Sequence, residues 1–299
     1  KLIGELQNMR AGNNDWMQAR EFQAETYGYD KYLGGCHMIP NHAIIILSLL
    51  FGDDDLQKTL MIVNTAGHDT DCNSGNVGCI MGIKNGLEGL RNGPDYLTPI
   101  QDRMYCPTAN GGETQTDALT EAYKVINTAK KMNKEETVEP KNGSRFHFEM
   151  PGSVQGWRSS FKNNKNISTI VQNTEYESSI GKRALEIKFD RVAPGVCSEA
   201  VVDIFFPQEL YELTGSARER FFQSYNFISC PLLYSGQNIE SEIIFKSNSP
   251  KPITVTCFIN VFGEEDNYER INSESVVLFP DKSQKLKWKI PSTEGNPIT

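Results

Sequence analysis

The chain has 299 residues, with 30 Lys and Arg against 38 Asp and Glu and a formal net charge of -8, a length that leaves room for two domains of ordinary size. That acidic balance, with no basic patch, repels a phosphate backbone and excludes nucleic acid as an expected partner. Seven cysteines, at 36, 72, 79, 106, 197, 230 and 257, are odd in number and form no Cys-x-x-Cys, so a disulfide framework is not expected. The longest apolar run, Ala43 to Phe51 with Ser48 inside it, is far short of the roughly 18 residues of a membrane span.

In chain order, Leu2 to Met9 has the helical period, with Ile3, Leu6 and Met9 on one face, and Asn13 and Asn14 break it. Asp15 is the expected cap of a helix carrying Trp16, Ala19 and Phe22 or Gln23 on successive turns. Gly34-Gly35 reads as a turn, and Pro40-Asn41 precedes the apolar helix ending before Gly52. Asp53, Asp54 and Asp55 form a polar loop, with Asp55 capping the helix Leu56 to Val63. The connections have the lengths usual in helical bundles.

Asn64 to Leu90 concentrates the chemistry. Asp69 and Asp71 follow an apolar run and precede a helical pattern, which puts them at a helix start. On a regular helix, residues two apart point about 200° away from each other, so the carboxylates converge only if the preceding turn is irregular. Gly67 gives freedom for such a turn. Two readings stand: the carboxylates cap the helix, or they hold a hard divalent cation such as Mg²⁺ or Mn²⁺. Gly75, Gly78, Gly82, Gly86 and Gly89 then recur at steps of three and four. Each helical glycine costs roughly 1 kcal/mol relative to alanine, so the stripe predicts a second helix packed closely on that face. Cys36, His37, His42, His68 and Cys72 offer zinc-type donors, but no zinc spacing is reproduced.

After a loop-rich passage, Thr116-Asp117 opens a last helix with Leu119, Ala122, Tyr123 and Ile126 on its apolar side. Lys130 to Gly143, rich in charge and containing Pro140, reads as a passage between domains. The period then changes to two. Phe146, Phe148 and Met150 alternate with polar residues, as do Leu185, Ile187 and Phe189; Ile253 to Val261; and Leu286, Trp288 and Ile290. Such spacing predicts an antiparallel sandwich.

Gly67-His68-Asp69-Thr70-Asp71-Cys72, followed by a small-residue helix, resembles the second metal motif of the ADP-ribosylglycohydrolases, and Gly34-Gly35-Cys36-His37-Met38-Ile39-Pro40-Asn41 resembles a segment preceding it in one branch. The likeness runs from about Lys1 to about Met132. It implies a partial all-α helical domain at 1–133, a linker at 134–143 and, by a looser likeness to carbohydrate-binding modules, a jelly-roll β-sandwich at 144–299. It implies Asp69, Asp71 and Cys72 as ligands to Mg²⁺, one ion or two, or to Mn²⁺, and Gly67, His68 and Asn73 beside the substrate. Cys72 stands where the family usually has a threonine hydroxyl. The family's early Gly-Asp motif and Thr-Asp-Asp cluster do not occur here, so the chain is expected to be an incomplete fragment. No catalytic base is assigned.

The function class that follows is a metal-dependent hydrolase of an N- or O-glycosidic bond to ADP-ribose or a related glycoside. Its partner would be an ADP-ribosylated or glycosidic small molecule. The alternative is a non-catalytic glycan-binding or scaffold module, with Trp157, Tyr211, Tyr225 and Tyr234 as sugar-stacking candidates. The chain reads as soluble, and Lys1 lies inside a helical pattern, so a cytoplasmic and a secreted location are both open.

Overall fold

Side-chain caps set where several helices begin. In α2 (Trp16–Tyr27) the Asp15 carboxylate accepts the Gln18 N–H at 2.8 Å while the Gln18 side chain returns a bond to the Asp15 N–H, a capping box that satisfies two first-turn donors. Asp55 does the same for α4 (Leu56–Thr65) through the Lys58 N–H at 2.6 Å. The computed structural model describes the chain except for residues 13–14, 107–109, 161–168, 191–194, 207–209, 211–212, 225–228 and 264–266. The break expected at Asn13 and Asn14 therefore lies outside the described residues, as do Tyr211 and Tyr225. Chain contacts divide the protein into two units, Lys1–Pro99 and Ile100–Thr299.

The first unit is helical: α1 (Leu2–Ala11), α2, α3 (Met38–Phe51), α4 and α5 (Thr70–Arg91). Pro40 is the third residue of α3 rather than lying before it. In a first turn its missing N–H costs nothing, because that group has no intrahelical partner. Leu6, Ala19, Leu47, Phe51 and Ile62 form one buried cluster, and Ile44, Leu56, Val63, Val77 and Met81 another, so α3 and α4 face both. Burying such side chains is the main stabilising contribution, at about 25 cal/mol per Å² of apolar surface. Asp53 and Asp54 form the α3–α4 loop in left-handed conformation and pair with Arg10, Lys58 and Lys84.

The glycine stripe behaves differently from its expectation. A side-chain carbon built on Gly75, Gly82 or Gly86 would meet nothing within 4 Å, and one on Gly78 would only touch Leu60 at 3.8 Å. No described helix packs closely on that part of the face. Gly89 does sit against Leu56, at 3.5 Å. Gly86, with φ 62° and ψ −162°, kinks α5, a conformation that only glycine adopts readily.

In the second unit, β1 (Arg103–Tyr105) pairs antiparallel with β2 (Gln115–Asp117), and α6 (Ala118–Met132) follows, capped by Asp117 on the Thr120 N–H at 2.8 Å. The other described ladders are also antiparallel pairs: β3 (Arg158–Ser159) with β6 (Ala200–Val201), β4 (Thr169–Glu175) with β5 (Arg183–Phe189), and β7 (Asn238–Ile244) with β12 (Ser283–Lys289). To these are added β8 (Ile253–Val255) with β11 (Val276–Leu278), and β9 (Phe258–Phe262) with β10 (Tyr268–Asn272). A helix, α7 (Gly215–Ser224), lies between β6 and β7 in sequence. Ile259, Val261, Ile290 and Ile298 make a buried cluster. The fold is a mixture of helices and small antiparallel sheets.

Two expectations for this unit meet a different structure. Phe146, Phe148 and Met150 lie outside any described strand, and Phe148 is left-handed at φ 57°. The reason is a competing acceptor: the Gln155 side-chain oxygen takes both the His147 and Phe148 N–H groups at 2.8 Å, leaving them unavailable to a ladder. The passage 134–143 folds back within the second unit. Asn127 on α6 bonds both the N–H and C=O of Val138, and Lys141 pairs with Glu149 at 3.2 Å. Among the described residues no helix is long and apolar enough to cross a membrane.

Candidate metal centre

The turn from α4 into α5 is built from three consecutive left-handed residues, Gly67 (φ 76°), His68 (57°) and Asp69 (43°). That conformation is free for glycine and costs a residue with a Cβ roughly 1–2 kcal/mol, so neighbouring contacts must offset it at His68 and Asp69. Arg20 on α2 donates through Nε to the Ala66 carbonyl and through Nη1 to the Gln23 side-chain oxygen at 2.9 Å. Asn73, fully buried on α5, donates to the His68 carbonyl at 2.9 Å. The His68 ring stacks on Tyr29, centroids 4.4 Å apart and planes 14° from parallel.

Asp69 stands at the N-cap of α5, yet its carboxylate caps nothing. Its Oδ2 accepts from the Asn41 side chain at 2.7 Å, and the Asn41 oxygen accepts in turn from the Tyr29 hydroxyl. The capping reading therefore does not describe Asp69. Because Asp69 is left-handed rather than helical, its carboxylate escapes the divergence that a regular helix would impose on it and Asp71. Ligand atoms of Asp69, Asp71 and Cys72 all lie within 4.8 Å of one another. Asp69 is partly buried, and Asp71 and Cys72 are exposed.

Asp69 dominates the electrostatics. Its charge, followed by burial, pushes the Cys36 thiol above its ordinary value, and a hydrogen bond to Asp69 does the same for Cys72. Tyr29 is raised by burial first and then by Asp69. His68 is lowered by burial first and then by the charge of Arg20. A consequence is testable with free thiols and a chelator present. At mildly alkaline pH, Cys36 and Cys72 should alkylate more slowly than an unperturbed exposed thiol, because less thiolate is present. Asp69→Asn should speed both, and mass-spectrometric labelling rates unchanged by that substitution would contradict the assignment.

Of the residues singled out in sequence, Asp69, Asp71 and Cys72 come together, whereas Gly67 and Asn73 shape the turn. Among the described residues that grouping includes no histidine. His37 instead accepts the Ile39 N–H at 3.2 Å and caps α3; His42 is exposed. Trp157 packs edge-on against Phe146 at 5.6 Å. Tyr29 and Arg20 are contributors that sequence reading missed, and Asn41, the last residue of the Gly34–Asn41 segment, gains a role there that the sequence did not assign it. Their role depends on α2, α3 and α5 meeting, which no local spacing signals.

Comparison of the chain with protein-family models, with curated proteins and with solved structures finds no match.

Proposed function

We propose that the entrance to α5 is one side of a divalent-cation site in a hydrolase of the ADP-ribosylglycohydrolase type, cleaving an N- or O-glycosidic bond to ADP-ribose or a related glycoside. The observation that carries this reading is the convergence of Asp69, Asp71 and Cys72 within 4.8 Å. Two carboxylates suit Mg²⁺ or Mn²⁺, while the soft Cys72 sulfur makes Mg²⁺ the poorer match. Asn41 and Tyr29 hold the Asp69 carboxylate in place, as the partners of metal ligands commonly do. When bound, the cation would polarise a sugar hydroxyl or a water.

Three donors are about half of a six-oxygen shell, so we infer that further ligands come from substrate, water or additional residues. The antiparallel ladders of the second unit fit, on this reading, an appended jelly-roll sandwich. The expected activity is release of ADP-ribose from modified arginine or serine peptides with Mn²⁺ or Mg²⁺ present, and Asp71→Asn should slow it by on the order of a hundredfold or more, since small misplacements at a reacting centre cost that much. An Asp71→Asn protein as active as its parent would contradict the reading.

A further inference from the structure

The segment from Arg145 to Trp157 in the second unit is tied down by side chains that take its backbone donors in succession. The Asp102 carboxylate accepts the Val154 and Gln155 N–H groups at 2.8 and 3.1 Å, and the Gln155 side chain takes those of His147 and Phe148. The His147 ring is next, its Nδ1 accepting the Glu149 N–H at 3.1 Å. Glu149 carries the constraint onward. Its carboxylate accepts the Lys182 N–H at 3.0 Å and the Arg183 N–H at 3.3 Å, where β5 starts, and pairs with Lys141 at 3.2 Å.

Of these acceptors His147 alone changes its state near neutral pH. An imidazole nitrogen accepts a hydrogen bond only while it is unprotonated, whereas both nitrogens of an imidazolium are donors. The Glu149 N–H facing Nδ1 therefore selects the neutral ring, with its proton on Nε2. The residue is 5% exposed, and the Tyr123 ring of α6 stands across it, centroids 5.2 Å apart and planes at 86°, so a charge there would be poorly hydrated. Burial is the largest influence on the ring and holds it below the ordinary histidine value; Asp117 and Glu149 favour the charged form, and Lys141 and Arg145 oppose it.

We propose that His147 is a proton-operated latch: on acidification its ring takes up a proton and drops the Glu149 N–H, and the hold of Glu149 on Lys141 and on the start of β5 loosens. The folded chain binds the neutral ring and the unfolded chain protonates more readily. The contribution of the latch is therefore present above the ordinary value of 6.5 and is lost as the pH falls below it. Of the four histidines, at 37, 42, 68 and 147, His147 is the one that belongs to Ile100–Thr299, so an acid response of this unit above the carboxylate range belongs to it. The latch is independent of the cation reading at α5.

The test is backbone amide hydrogen exchange of the whole chain, followed by NMR at about pH 7 and about pH 5, on either side of the ordinary histidine value, with each rate divided by that of an unstructured amide at the same pH. A chelator is present, so the outcome does not depend on the cation. Protection of the Glu149 and Lys182 amides should fall on the order of tenfold between the two conditions, the equivalent of one lost hydrogen bond. In His147→Asn, whose side-chain oxygen can take the place of Nδ1 and never ionises, that fall should disappear. An equal fall in His147→Asn, or none in the parent, would overturn the proposal. Should His147→Asn fail to fold, the nitrogen chemical shifts of the His147 ring in the parent decide the matter. A midpoint below the ordinary value, with amide protection lost alongside it, supports the latch; a ring that takes up its proton while the Glu149 amide stays protected overturns it.

Discussion

Arg158→Leu is expected to destabilise the second unit by about 3–5 kcal/mol, the usual cost of removing one partner from a buried ion pair. Arg158 is 1% exposed and donates to Asp203 at 2.7 Å. Without it, the Asp203 carboxylate keeps, among the described residues, Arg103 at 3.7 Å, and loses a charge-assisted hydrogen bond in a place water scarcely reaches. The pair itself is not the source of that stability. Replacing both members with apolar residues of similar size, Arg158→Leu with Asp203→Leu, should recover much of the loss, because desolvating two charges offsets most of their attraction. Urea unfolding of the four chains of the cycle measures both effects. A single substitution costing under about 1 kcal/mol, the range of an exposed pair, would show that Arg158 is not held as described.

The parts of this structure that sequence exposes are those decided within a few residues. Asp15, Asp55 and Asp117 each accept an N–H three residues ahead, so the cap is written next to the helix it starts. Of the apolar residues that share the α5 pattern, Val77 and Met81 are buried, whereas Ile80 and Leu87, expected in the core with them, are 47% and 36% exposed. Asp69 shows where local reading stops. Its position is that of a cap, but a side chain 28 residues earlier, Asn41, takes its carboxylate, and Tyr29 fixes Asn41. Nothing in the spacing of these residues reveals that α2, α3 and α5 converge.

The same limit governs the second unit. Phe146, Phe148 and Met150 have the alternation of a strand, yet Gln155 captures the backbone donors a ladder would use. The charged, Pro- and Gly-containing passage after α6 has the composition of a linker, and also of a return loop tied down by Asn127; composition cannot separate the two. The α5 glycines were an argument for close packing, and the described residues supply that packing at Gly89 but not at Gly75, Gly82 or Gly86.

The proposed cation site predicts how Mn²⁺ behaves. Asp69 and Asp71 are its two hard donors, and Cys72 adds a thiol that is hard to ionise beside Asp69. Metal ligands must be deprotonated to bind, so the two carboxylates carry the affinity and it should be weak, with about half of the shell supplied by the protein. Calorimetric titration of residues 1–299 with Mn²⁺, supported by the loss of the free-ion electron paramagnetic resonance signal, measures this most directly. The account predicts weak, saturable binding of the ion that disappears in the Asp69→Ala, Asp71→Ala double variant, with the helical circular dichroism of the protein retained. Saturable binding that persists unchanged in the folded double variant would place the cation elsewhere and contradict the central claim.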